Sequence, residues 1–306
     1  VKDVSLLDIS VVIPVYNNAN GIAPLCSAVY EALSNKKFEL ILVDDGSIDQ
    51  SWLTIKDIAK KYPFVKGYKL SENNGQHVAT LCGIAQSSGE WIAILDDDLQ
   101  FSPKDILSLI ESGEKENASL VYGIPKNKKH QFGRNLGSKL LSAILKKHGG
   151  LKTTGSSFKA IHSDLRKEIL AFQHPFLFLD EVLQWNAHHI TKVDVDHKER
   201  ENGKSTYSFW KLISLSTNYI LRYTTLPLKL IAYFGSLTFL ICLGFILFFL
   251  YQKFTYGAEL GFTALIISIF MSTGLIMFSL GVIGEYLNRL FLMQSQKPLY
   301  KIKEQL

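Results

Sequence analysis

Ile92-Ala93-Ile94-Leu95-Asp96-Asp97-Asp98-Leu99-Gln100 is an apolar run that stops abruptly in three carboxylates. The apolar part suits one buried strand of a sheet covered on both faces. Three acidic side chains at a strand end repel one another and gain nothing from packing, so a positive partner must offset them. A divalent cation holding a diphosphate is a partner of the right kind. If the backbone stays extended through 96–98, Asp96 and Asp98 share one side and Asp97 takes the other. Gln100 then lies with the first two, and Asp96, Asp98 and Gln100 become a candidate set of oxygen ligands. The alternative is a solvated acidic turn, with Ser102-Pro103 opening the next helix.

Upstream, apolar runs and helical spacings alternate. Ser10–Val15 reads as a strand, Ile22–Leu33 as a helix and Phe38–Val43 as the next strand, ending in Asp44-Asp45-Gly46-Ser47. Ser51–Lys61 has helical spacing, Val65–Leu70 is a third strand running into Asn73-Asn74-Gly75, His77–Ser87 is a helix, and Trp91–Leu95 is the central strand. This order predicts an α/β fold with a mainly parallel sheet. In such sheets ligands bind at the strand ends where the polar residues gather here. The loop after the first strand, Tyr16-Asn17-Asn18, has no G-x-G-x-x-G fingerprint, which disfavours a nicotinamide or flavin enzyme.

Downstream the composition changes. Leu228–Tyr251 and Gly261–Ile283 are almost uninterrupted apolar sequence, each long enough for the ~30 Å of a bilayer core. Lysines and arginines flank the pair (Lys211, Arg222, Lys229, then Arg289, Lys297, Lys301), while the short link Gln252–Leu260 has one lysine and one glutamate. By the positive-inside rule both ends face the cytoplasm. Ser208–Thr225 has the pattern of an amphipathic interfacial helix, or of a packed helix of the soluble part, with Pro227 ending it. The expected division is 1–206 α/β domain, 207–227 interfacial helix, 228–251 and 261–283 transmembrane helices, and 284–306 cytoplasmic tail. Small residues in the spans, such as Gly235 and Gly274, predict packing against further copies, hence a homo-oligomer.

The net charge of +5 over 306 residues is too mild for a nucleic-acid binder. The three cysteines, Cys26, Cys82 and Cys242, have no metal-ligand spacing and predict no disulfide framework, as in a reducing compartment. Val1–Asp8 has no long apolar core, so no signal peptide is expected there.

Taken together, V-V-I-P-V-Y-N at Val11–Asn17, V-D-D-G-S at Val43–Ser47, N-x-G-Q-H at Asn73–His77, D-D-D-L-Q at Asp96–Gln100, K-S-T-Y-S at Lys204–Ser208 and G-E-Y-L-N-R at Gly284–Arg289 resemble the family-2 glycosyltransferases of GT-A fold. More narrowly they resemble the polyprenyl-phosphate group, which includes dolichol-phosphate mannose synthases, GtrB-type transferases and undecaprenyl-phosphate aminoarabinose transferases. The resemblance implies inverting transfer of a sugar from a nucleotide-sugar, UDP favoured, to undecaprenyl phosphate on the cytoplasmic face of a bacterial inner membrane. It implies Mg²⁺ or Mn²⁺ on Asp96, Asp98 and Gln100. It places the nucleotide near Pro14, Tyr16, Asn17, Asp45, Gly75, His77 and Asp97; Asp97 either faces the sugar or is a surface carboxylate. It places the acceptor phosphate near Arg134 and Ser138, with Lys126, Arg200 and Lys204 as further cations.

The chain departs from the family at two places. Lys126 stands where many relatives have arginine, and a point charge is not a bidentate guanidinium. Gly155-Ser156-Ser157-Phe158-Lys159 lacks the carboxylate of the family's Gly-Asp-aromatic-Arg segment. Asp180, next to Glu181, is the substitute candidate for contact with sugar or acceptor; otherwise it starts a helix. Two other functions compete: a non-catalytic nucleotide-sugar-binding partner of a transporter, and a processive polysaccharide synthase. The second usually carries Gln-x-x-Arg-Trp, of which Gln184-Trp185 is a fragment.

Overall fold

The structure is a computed structural model and describes residues 7–126, 155–171, 179–197, 261–294 and 298–306, with scattered positions between 231 and 255. Eight strands form one mixed sheet: β1 Ile9–Val15, β2 Phe38–Asp44, β3 Val65–Leu70, β4 Trp91–Ile94, β5 Leu120–Pro125, β6 Lys159–His162, β7 Ile190–Val195 and β8 Ile302–Gln305. The helices are α1 Ala19–Leu33, α2 Ser51–Lys61, α3 Gln76–Gln86, α4 Asp105–Glu116, α5 Asp164–Ala171, α6 Leu179–Asn186 and α7 Phe262–Gln294. The sheet and α1–α6 make one compact unit; α7 belongs to a second.

The strand order is β7-β5-β6-β4-β1-β2-β3-β8. Val11 sits opposite Leu40 of β2 on one side and Ala93 of β4 on the other, both pairings parallel. The chain builds β1, β2 and β3 outward in one direction, then returns so that β4 lies on the other flank of β1. That reversal opens a crevice at the carboxyl ends of β1 and β4. The sheet is less parallel than expected, because β6 runs antiparallel between β4 and β5, and β8 runs antiparallel to β3.

β1, β2 and β4 read as largely apolar runs because both their faces are covered, whereas β3 carries the half-buried Lys66 and Lys69. Val11, Ile13, Leu40 and Leu42 pack with Leu25 and Val29 of α1, Ile55 of α2 and Leu109 of α4. The alternate residues Val12, Ile41 and Val43 pack with Ala79 and Cys82 of α3, Leu165 of α5 and Leu183 of α6. Cys26 and Cys82 are buried and free, as expected of small core residues.

At the amino ends of the strands a polar knot ties the sheet. Glu39 is 2% exposed. Its carboxylate accepts from Ser10 Oγ at 2.6 Å and from Ser88 N and Oγ at 2.7 Å each, and pairs with Lys66 Nζ at 2.6 Å. Burial opposes its charge, but Lys66, Ser10 and Ser88 together outweigh burial and hold the pKa below the usual value. A depressed carboxylate contributes stability above the unfolded pKa, and that contribution is lost as pH falls through the folded one. Glu39→Ala, which strands these donors, should cost roughly 2–4 kcal/mol. The loss, read from urea midpoints, should shrink between pH 7 and pH 3; an equal loss at both would contradict this account.

The second apolar run lies in α7, whose side chains are described only in part. Among the described residues no helix is long and apolar enough to cross a membrane. The proposed interfacial helix, 207–227, lies outside the described residues. Residues 302–305, within the segment expected as the tail, form β8 of the sheet.

Candidate functional site

Four loops meet at the crevice. Pro14 and Val15 at the end of β1, with Tyr16 just beyond, form one wall; after β2 comes Asp45; after β3, Asn73, Gly75 and Gln76; after β4, Asp96, Asp97 and Asp98. Together they line an open cleft of about 250 Å³, just under the usual size of small-molecule sites.

The loops bond to one another. Asn17 adopts φ +52°, accepts from Ile48 N at 3.0 Å through Oδ1, and donates its own N–H to Ser47 Oγ at 3.0 Å. Its side chain is therefore spent on the loop, not on the cleft. Asp44 caps the next turn by accepting from Ser47 N at 3.2 Å. That turn needs Gly46 at φ +68°, where a Cβ would meet the Glu72 backbone at 2.6 Å. Asp45 uses both carboxylate oxygens on the third loop, accepting from Asn74 N and Gly75 N at 2.8 Å each. Burial raises its pKa, partly offset by those two N–H groups. The Gly75 N–H, at the start of α3, is thus committed to Asp45.

The acidic run is not extended. β4 ends at Ile94, Asp97-Asp98 form a turn and Leu99 has φ +56°. Residues 96–98 therefore do not alternate as in a strand, and all three line one cleft. Gln100 is not among its lining residues, and its N–H donates to Asp98 Oδ1 at 3.2 Å. Phe101, stacked on Phe158 with ring centroids 5.2 Å apart, anchors the turn to β6. Asn18 Nδ2 donates to the Asp97 carbonyl at 2.8 Å, and Gln76 Nε2 donates to Asp96.

Charge has accumulated in the cleft. Burial raises the pKa of Asp96; its Asp98 neighbour adds to this, while Ser157, Lys159 and Gln76 oppose it. Burial, then repulsion from Asp96 and Asp98, pushes Asp97 up to about 6 against Asn18 and a Tyr16 backbone bond. An acid raised in the fold costs stability that appears as pH climbs from about 4 to about 6 and persists above. Asp97→Asn should therefore stabilise the metal-free protein by on the order of 2 kcal/mol at pH 7.5 and by much less at pH 4. Melting temperatures in EDTA at the two pH values test this; no gain at pH 7.5 would contradict it.

Sequence reasoning named Asp180 but missed the lysine and tyrosine that hold it. Lys159, 3% exposed, comes from the first position of β6 and pairs with Asp180 at the start of α6. The same Asp180 oxygen accepts from Tyr122 Oη at 3.0 Å, and Tyr122 Oη in turn accepts from Gln184 Nε2 at 3.3 Å. A Cβ on Gly155 would lie 3.1 Å from the Asp180 carboxylate. A carboxylate from α6 thus lies against the 155–159 segment. Lys159 is near enough to influence both Asp96 and His77. Burial lowers the His77 pKa, with Asp180 opposing and Lys159 assisting. A lysine in an apolar strand, an acid 21 residues later and a tyrosine near them was the available signal.

Of the predicted residues, Pro14, Tyr16, Asp45, Gly75, Asp96, Asp97 and Asp98 share the cleft. Asp180 and His77 adjoin it through Lys159. Lys126 is exposed and pairs with Asp196 at 3.4 Å. Arg134, Ser138, Arg200 and Lys204 lie outside the described residues. Among the described residues, no three His, Cys, Asp or Glu side chains are arranged to hold a metal ion unaided.

Comparison with known proteins gives three results. The profile of glycosyl transferase family 2 matches residues 10–184. An undecaprenyl-phosphate 4-deoxy-4-formamido-L-arabinose transferase of Shewanella sediminis is 31% identical over 304 residues, covering 97% of this chain and 92% of the relative. The transferase of the same description from Edwardsiella ictaluri is 29% identical, covering 96% and 93%. Among solved structures, a mannosyltransferase from Pyrobaculum calidifontis in complex with GDP-Man and Mn²⁺ matches in fold, with TM-score 0.51 and 19% identity over 72% of this chain and 63% of that one.

Proposed function

Because the chain belongs to glycosyl transferase family 2, we propose that it moves a sugar from a nucleotide-sugar, UDP-linked by preference, to a polyprenyl phosphate at the cytoplasmic face of a bacterial plasma membrane. One observation carries the reading. Seven residues picked from separate sequence motifs, three of them adjacent carboxylates, converge on one cleft at the switch point of the sheet. Relatives matched along nearly the whole chain are undecaprenyl-phosphate transferases by name.

Asp96 and Asp98 would hold Mg²⁺ or Mn²⁺ jointly with the donor diphosphate, which supplies the oxygens that two carboxylates lack. The fit rests on hard oxygen donors crowded together: without such a cation, burial and the neighbouring carboxylates raise the pKa of Asp96 and of Asp97 beside it. When bound, the cation neutralises charge on the departing diphosphate. Tyr16, 48% exposed on the cleft wall, offers its ring to the base. A phosphate monoester with a second pKa of about 6 is largely dianionic at neutral pH, so an acceptor oxygen can attack the anomeric carbon without a general base. Inversion follows from attack opposite the leaving diphosphate. Asp180, already accepting from Lys159 and Tyr122, is suited to fixing a sugar hydroxyl rather than to taking a proton.

Residues 228–251 and 261–283 serve as two spans preceded by an interfacial helix, and the protein assembles as a homo-oligomer in this reading. Support comes from β8: the chain leaves the sheet after β7 and re-enters it at β8, beside β3. An even number of crossings satisfies that return. Processive synthesis is not favoured, since Gln184 is fully buried and bonds to Tyr122. Transfer of labelled sugar from a panel of UDP- and GDP-sugars to undecaprenyl phosphate, with Mn²⁺ or with EDTA, tests the proposal. Metal-dependent labelling of the lipid from one donor is expected; transfer to soluble acceptors alone would overturn it.

A further inference from the structure

β3 would be the open edge of the sheet without β8. The covering segment does more than hide that edge. β8 pairs antiparallel with β3, placing Tyr68 opposite Gln305 and Leu70 opposite Ile302. Ser71 N, the first amide beyond β3, donates to the Lys301 carbonyl at 2.9 Å, and Leu306 N donates to the Gly67 carbonyl at 2.9 Å. Glu304 pins the strand sideways to α2, accepting from Lys56 Nζ at 2.6 Å and Trp52 Nε1 at 3.1 Å. Leu299, Tyr300 and Ile302 pack on the apolar cluster that includes α3, and the Tyr300 hydroxyl meets the Cys82 thiol in that helix.

These contacts bracket the third cleft loop. Ser71 begins it and α3 follows it, and the segment holds both. Between them, Asn74 and Gly75 hang on Asp45, while Asn73, Gly75 and Gln76 face the cleft. The loop is short, so freedom at the Ser71 end or in α3 is transmitted to the Asp45 bonds.

We propose that Leu299–Leu306 is a positioning strap for the donor cleft, holding the Ser71–Gly75 loop in the form that Asp45 grips and so setting donor affinity. No strap residue lines the cleft. Only the identity of the ligand rests on the proposed function; the mechanical part stands apart from it.

Ile302→Pro, which removes a β8 amide and the Ile302 side chain, and Tyr300→Ala, which releases α3, test the strap in the full chain. In both, amides of Ser71, Asn74 and Gly75 should exchange roughly tenfold faster, the scale of one lost hydrogen bond, with β1 and β2 unchanged. Binding of UDP with Mn²⁺ should weaken, and the donor KM rise, by a similar factor, with kcat within about twofold. Faster exchange at Ser71 with Asn74, Gly75 and UDP affinity unmoved would overturn the proposal. So would loss of protection spread through β1 and β2, which would make the segment a general stabiliser. Failure of the unaltered protein to bind UDP would instead count against the nucleotide reading of the cleft, leaving hydrogen exchange to decide the strap.

Discussion

Asp98→Ala is expected to lower sugar transfer roughly 100- to 1,000-fold, the scale on which removing one transition-state charge partner acts. Asp98 stands in the turn that brings three carboxylates to one cleft, and its Oδ1 also receives the Gln100 amide. Its loss removes one of two proposed cation ligands. The metal-free fold should not suffer, because the change relieves repulsion on Asp96 and Asp97. Low activity with an unchanged or raised melting temperature is therefore the predicted signature. The deficit should lessen at high Mn²⁺ if weaker cation binding is its cause. Transfer by Asp98→Ala at the unaltered rate would remove the metal assignment.

Lys159→Met should have the largest effect on stability among the site residues. Lys159 and Asp180 are paired in a buried setting, and removing one partner strands the other, at a cost of about 3–5 kcal/mol. Among the described residues, Tyr122 then remains to donate to the Asp180 carboxylate. Replacing both partners by apolar residues, Lys159→Met with Asp180→Leu, should recover most of the stability, since neither charge is left alone. Transfer should stay low in the double variant if Asp180 meets the sugar. Urea midpoints and rates on the three variants separate the roles. A double variant as active as the parent would make the pair structural glue only, and a single variant as stable as the parent would contradict the burial argument.

Much of the fold could be read from the chain because β1, β2 and β4 are covered on both faces. Buried strands of this kind are apolar throughout, and polar turns bound them sharply, so their limits were predicted to within a residue or so. The cleft followed, since polar residues after such strands have one edge on which to meet. The acidic turn was misread because Leu95 extends the apolar run one residue beyond the strand, and periodicity does not report the positive φ at Leu99. β6 and β8 are four residues each and carry lysine or glutamate. Their pairing depends on partners far away in sequence, which no local pattern records. The place of Lys159 was not legible for the same reason: Asp180, its partner, arrives on a different element. The family pattern led to Asp180 only by elimination, whereas the geometry shows its carboxylate packed against Gly155.

The account stands on the acidic turn gripping a cation that carries the donor diphosphate. Anomalous diffraction from crystals grown with Mn²⁺ and UDP measures this directly. The prediction is one manganese peak bridging Asp96 and Asp98 to the diphosphate, with the uracil beside Tyr16. Manganese and nucleotide bound together elsewhere, with the Asp96–Asp98 turn left bare, would contradict it.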